Sequence, residues 1–392
     1  MTAQVAPADR YAPEFRVDIE GLEMDPATKN DVVELKVHRD VDDMSGFDLT
    51  LNNWDDRTLT FKHSDSPRFT VGQRVVIQLG YADRLWTVMA GSISTISPQF
   101  PDSAASTVAV SGVDGMQKLK DSKPAEGVPK IYTGRTDAEI AAEIAARNKL
   151  QIVTTASAPR YDQVIQKNQD DATFLMERAK RIDFDCFMLP DPDSGAETLF
   201  FIRPTDGRDG SPITVWRLAY GPGLAGGPSD QPAGLFPNLL SFTPTLTLAK
   251  QVGKVTVRGW DPRTKQAIKG TASAGDLPRP ADGSGGGQSG PEAAGSALEG
   301  RQDVVIDAPV TSEEEARELA VSLLRERAYE FVTGTGRVAG LPELRPGDNV
   351  EIHGLGRRFS GTYYVKRVEH SLGSGGFFTD FTARRIYAGG TA

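Results

Sequence analysis

The stretch LTLNNWDDRT (Leu49–Thr58) returns as VTVRGWDPRT (Val255–Thr264). Aligned from Thr50 and Thr256, five of nine positions are identical, and two of the chain's four Trp face each other in the alignment. If the chain holds two copies of one β unit, further pairs should follow in the same order. FTVGQRVVIQLGY (69–81) resembles LRPGDNVEIHGLG (344–356), with Gly72 on Gly347. AGSISTISPQF (90–100) resembles SGTYYVKRVEH (360–370), with Gly91 on Gly361, and STVAVSGVD pairs more weakly with FFTDFTARR. The expected repeat positions are therefore Trp54, Asp55, Gly72 and Gly91 in the first copy, and Trp260, Asp261, Gly347 and Gly361 in the second. The competing reading is convergence, since strands and turns reuse the same residues; the shared order favours duplication. The offset grows from 206 residues at the Trp pair to 275 at the first Gly pair, which predicts an insertion of 69 residues in the second copy. Pro346-Gly347-Asp348 is a turn in which Gly accepts positive φ before a strand, and Gly72 has the same place in the first copy.

Outward from these repeats, the chain of 392 residues exceeds the size at which one core keeps growing, so several domains are expected. From Phe15 to Val113 the apolar residues alternate, as in FTVGQRVVIQLGY, where Val75, Ile77 and Leu79 share one face. The period then changes. RTDAEIAAEIAARNKL is an amphipathic helix that Thr136 and Glu139 cap reciprocally. NQDDATFLMERAKRI reads as a second helix, and DFDCFMLP and ETLFFIRP as strands. β-like sequence resumes with ITVWRLAY and LLSFTPTLTLA. Gly, Ala, Ser and Pro supply 21 of the 30 residues from 271 to 300, so this segment is expected to be a flexible loop. A helix over 311–331 follows, with Ser312 and Glu315 as its capping box and a stripe of Ala316, Leu319, Ala320, Leu323 and Leu324. The expected fold is mainly β with an α/β insert: a flexible tail over 1–9, a β-barrel domain over 10–115, an α/β domain over 116–212, and a second, similar β-barrel domain over 213–388.

The net charge is −9, and no cluster of Lys and Arg appears of the kind that neutralises phosphates, so nucleic acid is not an expected partner. No run approaches eighteen apolar residues, so no membrane insertion is expected, and no signal peptide is legible. The single Cys186 fits a reducing, cytoplasmic compartment, and its apolar setting in FDCFML argues for a buried thiol. His353 and His370, near Glu351 and Glu369, lack a nameable third ligand for zinc. Gly221–Gly226 matches G-x-G-x-x-G, yet Pro228 and Pro232 prevent the helix that a dinucleotide needs. Asp191, Asp193 and Gly195 echo a calcium loop without its closing Glu, since position 202 is Ile. Asp183 with Asp185, and Asp42 with Asp43, are carboxylate pairs of the kind glycosidases use, although 53 acidic residues produce such pairs by chance. No catalytic set, cofactor or metal is expected.

The ordered set of motifs resembles the baseplate hub proteins of contractile injection systems, also called the phage late control D family. The resemblance spans about Tyr11 to Arg385. It rests on VGQRVVIQLGY and MAGSISTISPQFP in the first unit and on QKNQDDATFLMERAKRI in the middle. In the second unit it rests on VRGWDPRTKQAIKG, GLPELRPGDNVEIHGLGRRFSGTYYVKRVEH and GGFFTDFTARR. The resemblance implies a homotrimer in which each chain supplies two similar barrels. Six nearly equivalent surfaces would then face a hexameric inner tube protein, with a threefold spike opposite, among other baseplate proteins. The valine-glycine repeat spike proteins continue into a β-helix where this sequence stops, so the spike is expected to be a separate chain. Two rival classes are a tail-borne cell-wall hydrolase, which would need converging carboxylates, and a glycan-binding β protein, which would use exposed Trp and Tyr.

Overall fold

The computed structural model describes residues 12–124, 128–204, 215–221, 239–261, 263–277, 287–298, 300–306 and 308–389. The expected tail over 1–9 and residues 222–226 of the glycine-rich stretch lie outside them. Alternation of apolar and polar residues builds a first β unit. Its main strands are β1 (Pro13–Ile19), β2 (Val32–Asp40), β3 (Gly46–Asn52), a short hairpin of β4 (Trp54–Asp55) and β5 (Thr60–Phe61), then β6 (Arg74–Tyr81), β7 (Arg84–Gln99) and β8 (Thr107–Val113). Leu35, Val37, Leu49, Leu51, Ile77, Leu79, Val108 and Val110 bury their side chains in one core.

The α/β part follows. It comprises α1 (Met116–Asp121), β9 (Lys130–Arg135), α2 (Asp137–Arg147), β10 (Gln151–Thr154), β11 (Tyr161–Gln166), α3 (Asp171–Arg181), β12 (Asp185–Pro190) and β13 (Glu197–Ile202). Thr136 and Glu139 satisfy each other's free backbone donors at the start of α2. The helices lay Ile140, Ile144, Phe174 and Leu175 on Phe184, Met188, Leu199 and Phe201.

The second β unit contains β14 (Val215–Ala219), β15 (Leu239–Leu246), an insert, β19 (Val332–Ala339), β20 (Asn349–His353), β21 (Gly361–Gly373) and β22 (Gly376–Arg385). The insert holds β16 (Lys254–Asp261), β17 (Gln266–Ser273), α4 (Gly290–Ala297), β18 (Gln302–Val305) and α5 (Glu313–Tyr329). It has a core of its own, where Ala316, Leu319, Ala320 and Leu324 of α5 meet Val255, Val257 and Ile268. Residues 271–300 are thus not a continuous flexible loop. Within them α4 buries Ala293 and Ala294, and Ser289 and Glu292 cap its start reciprocally. Small residues that cannot fill a core by bulk still permit close packing: a Cβ on Gly290 would lie 2.1 Å from the Gln251 side chain.

In space the first unit runs β2-β3-β8-β7-β6-β1 and the second β15-β19-β22-β21-β20-β14. The two series match strand for strand in chain order, β1 with β14, β2 with β15, β3 with β19 and β6, β7 and β8 with β20, β21 and β22. The register slips agree too. β7–β8 slips between Ile93 and Thr95, and β21–β22 between Val365 and Arg367. β2–β3 slips between Val32 and Glu34, and β15–β19 between Leu239 and Ser241. One edge differs: β1–β6 is antiparallel and β14–β20 is parallel. The strand pairing among the described residues closes neither unit into the barrel expected from sequence. Among the described residues each is an open sheet of six matched strands, the first extended by the two-residue strand Leu22–Glu23 on β1, and the two fuse through antiparallel pairing of β21 with β2 into one 13-stranded sheet.

Candidate assembly surface

The long sheet presents one apolar and one polar face. On β2, Glu34, Lys36, His38 and Asp40 alternate with the buried Leu35, Val37 and Arg39. On the same polar face Arg337 of β19 makes a two-pronged ion pair with Asp380 of β22, at 2.7 and 2.9 Å. Arg367 and Glu369 of β21 lie 3.4 Å apart, and Ser111 of β8 donates to Asp48 of β3 at 2.6 Å. A shallow hollow among Ser241, Thr243, Thr335, Arg337, Glu369 and Asp380 continues this face to the end of the sheet. Charges of both signs on this face pair with one another, across strands at Arg337–Asp380 and along a strand at Arg367–Glu369, exposed pairs that each contribute little to stability.

Where the two units fuse, three polar side chains are buried together. Arg39 donates to the Leu344 carbonyl at 2.8 Å and lies 2.8 Å from His370 Nε2. Burial, with Arg39 beside it, pushes the His370 imidazole well below its usual pKa. The neutral ring accepts from Arg39 at Nε2, so Nδ1 carries the proton and donates to Thr379 Oγ1 at 2.9 Å. Tyr81 of the first unit donates to the Gly340 carbonyl of the second at 2.8 Å, and Phe377 of β22 enters the first unit's core. These contacts lock the two sheets in one relative setting.

The α/β part is anchored to the second unit in a similar way. Tyr364 of β21 donates to Asp185 of β12, while Arg384 of β22 stands 4.0 Å from both Asp185 and Asp42. Burial lifts the Asp185 carboxyl to about 7 against the pull of Arg384 and Tyr364. Arg325 of α5 pairs with Asp183, and Arg181 of α3 with Glu315 at 2.8 Å. Glu315 also accepts from Thr311, so it does not complete the capping box expected with Ser312.

The repeat positions divide into two kinds. Gly72 and Gly347 sit at matching places before β6 and β20, with φ of +91° and +89°. Their N–H groups donate to Ile93 and Val365, the residues at the matched register slips. Trp54-Asp55 and Trp260-Asp261 build the same turn in different places. Trp54 stands opposite Phe61 and Asp55 opposite Thr60; Trp260 stands opposite Ala267 and Asp261 opposite Gln266. Asp55 accepts from the Arg57 N–H at 2.9 Å and Asp261 from the Arg263 N–H at 2.8 Å. Leu59 and Lys265 each take φ of 55°. Yet β4–β5 follows β3, whereas β16–β17 lies between the counterparts of β2 and β3. The shared Trp-Asp stretch encodes a turn rather than a repeat position, so the insertion begins before it and not after it. Gly91 and Gly361 are two residues out of register: Val75 pairs with Gly91, and its counterpart Val350 pairs with Tyr363. Gly91 lies against β8, where a Cβ would come 2.1 Å from the Val113 carbonyl, and Gly361 opens β21 at φ +127°.

The other candidates have local roles. His353 lies 3.3 Å from Glu351, far in kind from the enclosed His370, and no group of three or more His, Cys, Asp or Glu converges among the described residues. Asp191 accepts from Ser194 N–H and Oγ, both at 2.7 Å, which closes the β12–β13 turn. Asp183 and Asp185 turn to different partners, Arg325 and Tyr364, and do not face a shared cleft. Asp42 pairs with Lys366 at 3.0 Å, while Asp43 accepts from the Met44 N–H. Burial pushes the Cys186 thiol up to about 12, which removes its nucleophilic form. No helix among the described residues is long and apolar enough to cross a membrane.

The family described as the Alg8 N-terminal domain matches residues 10–191 and 236–374, most of the chain on both sides of residues 192–235. The chain belongs to the Alg8 N-terminal domain family. No curated protein shows a significant sequence match. This family member has the fold of a 43 kDa tail protein of prophage MuSo2 from Shewanella oneidensis, at 14% identity and a TM-score of 0.66 over 95% of this chain and 98% of that one. A tail protein from Neisseria meningitidis MC58 gives 14% identity and a TM-score of 0.64 over 96% and 98%. An Escherichia coli component of the type VI secretion system, itself described as similar to T4 bacteriophage tail proteins, gives 14% and 0.57 over 96% and 79%. This chain therefore shares the fold of these tail proteins, mainly β with an α/β part between two related sheets.

Proposed function

We propose that this protein is a structural baseplate hub of a phage tail or contractile injection machine and not an enzyme. Three copies form a ring. Each contributes two units of six matched strands, so the ring offers six nearly equivalent surfaces to a hexameric inner tube protein and threefold symmetry to a trimeric spike. Tube growth starts on the sixfold face. The observation that carries this reading is the match of the two units in strand order and register slips, which is what converting threefold to sixfold symmetry demands. The tail-protein fold supports it, and the paired charges of the polar face suit a hydrated channel wall. Other baseplate proteins would bind outside the ring, where the insert and the α/β part lie.

The test is assembly. The chain is co-expressed with a spike and a tube protein from the same gene neighbourhood, and the mass of the complex is measured. Three hubs with three spikes, able to seed six-membered tube rings, is the expected result. A hub that stays monomeric with both partners present overturns the reading.

A further inference from the structure

The fused sheet contains a template for joining one copy to the next. Within the chain, the end of β21 pairs with β2 in the register Arg367–Asp40, Val368–Arg39, Glu369–His38, His370–Val37, Ser371–Lys36 and Leu372–Leu35. The counterpart of β21 is β7, and the counterpart of β2 is β15. Among the described residues, the end of β7 pairs only with β8, and β15 pairs only with β19. Two edges that correspond to a formed junction are thus left open, one on β15 at the end of the sheet and one on the part of β7 that extends past β6.

The matched slips fix which residues correspond. Ile93 matches Val365 and Thr95 matches Arg367, so Ile96, Ser97, Pro98 and Phe100 match Val368, Glu369, His370 and Leu372. On the other edge Phe242, Pro244, Thr245 and Leu246 match Leu35, Val37, His38 and Arg39. At the core-facing positions the junction would place Ile96 on Leu246, Pro98 on Pro244 and Phe100 on Phe242. All six are apolar, and in the single chain Pro98, Phe100 and Leu246 are exposed. On the polar face Ser97 would meet Thr245. Phe100 already stacks edge-on with Phe61, which stacks with Trp54, so the β4–β5 hairpin widens the apolar strip.

The prolines set the register. Val41 N–H donates to the Lys366 carbonyl, which makes Asp40–Arg367 a non-hydrogen-bonded pair and Val37–His370 a hydrogen-bonded one. Pro98 and Pro244 would occupy that hydrogen-bonded step. Facing each other they interrupt one step of the ladder; out of register they would interrupt two. In the single chain they lie on free edges, where proline discourages indiscriminate pairing.

We infer that the end of β7 in one copy pairs antiparallel with β15 of a second copy, with Pro98 opposite Pro244. The two patches differ, so the contact is head-to-tail and closes into a ring. This rests on the trimer reading above and names the surfaces that would make it.

Ser97 and Thr245 fall at a non-hydrogen-bonded step, where side chains approach most closely. Full-length chains carrying Ser97→Cys or Thr245→Cys are therefore prepared separately, mixed, assembled with spike and tube proteins, and oxidised. The mixture should cross-link at least tenfold faster than either variant alone and than a mixture of Ser97→Cys with Thr243→Cys. Native Cys186 is buried and common to all arms. If a complex of trimer mass forms without this cross-link, the inferred junction is wrong and the hub reading stands. If no trimer forms, both fall.

Discussion

Gly347 carries a clear demand. Its φ of +89° lies in the left-handed region, and a Cβ there would meet only Phe187 and Tyr364 at an ordinary 3.6 Å. The cost of a side chain is thus conformational, about 1–2 kcal/mol and more for a β-branched residue. Gly347→Val should lower stability by at least that amount in denaturant unfolding, and Gly347→Ala by less; equal stability of Gly347→Val and the parent would contradict the turn. Asp114 sets a pH dependence. It accepts from the Ser45 and Met116 N–H groups at 3.1 and 3.0 Å, and burial, aided by Glu197, lifts its carboxyl to about 7. The unfolded chain releases this proton near 4. The folded state holds it longer, so the contribution is full below about pH 4 and is lost as pH rises through about 7. The thermal midpoint should therefore rise from pH 7.5 to 5.5. Asp114→Asn, which keeps an acceptor for only one of the two donors, should be less stable throughout but show a flatter rise.

Among the elements, α4 separates a compositional reading from a structural one. Its Ala, Gly and Ser read as a linker, yet Ala294 is fully buried and Gln288 and Ser289 pair with Ala388 and Tyr387 near the chain's end. Excising residues 287–298 should cost about 2 kcal/mol or more, a fall of about 2–3 °C or more for one cooperative unit of this size. A linker would leave the midpoint unchanged. The helix α5 was legible because its stripe is long and branched aliphatic residues carry it. The turn shared by Trp54 and Trp260 was legible as well, but its meaning was not. Asp accepting the N–H two residues on is a local device, available wherever a four-residue turn is needed.

For the molecule as a whole, the continuous sheet and the shared core predict one cooperative unit. Trp86 is buried on β7 and Trp216 sits on β14, so each reports on one unit. Fluorescence of variants retaining only one of them should give coincident unfolding midpoints. Phe377→Ala, which leaves a gap in the first core although it belongs to β22, should cost about 3–5 kcal/mol of stability and lower both midpoints together. Separate transitions would mean that the fusion of β21 with β2 is weak.

Alternation, capping residues and positive-φ glycines are local, and they announced the strands, the helices and the turns before β6 and β20. They also announced that two β units exist. Which strands correspond was settled elsewhere. STVAVSGVD and FFTDFTARR share almost no side-chain identity, yet they are β8 and β22, aligned by their pairing to β7 and β21. The more alike Trp-Asp stretches do not correspond. Side chains at matched sheet positions need only keep the face they point to, so sequence drifts while hydrogen-bond register persists. The burial of Arg39 against His370, the open sheets in place of closed barrels and the unmatched edges at β7 and β15 depend on segments hundreds of residues apart meeting in space, which no local pattern encodes.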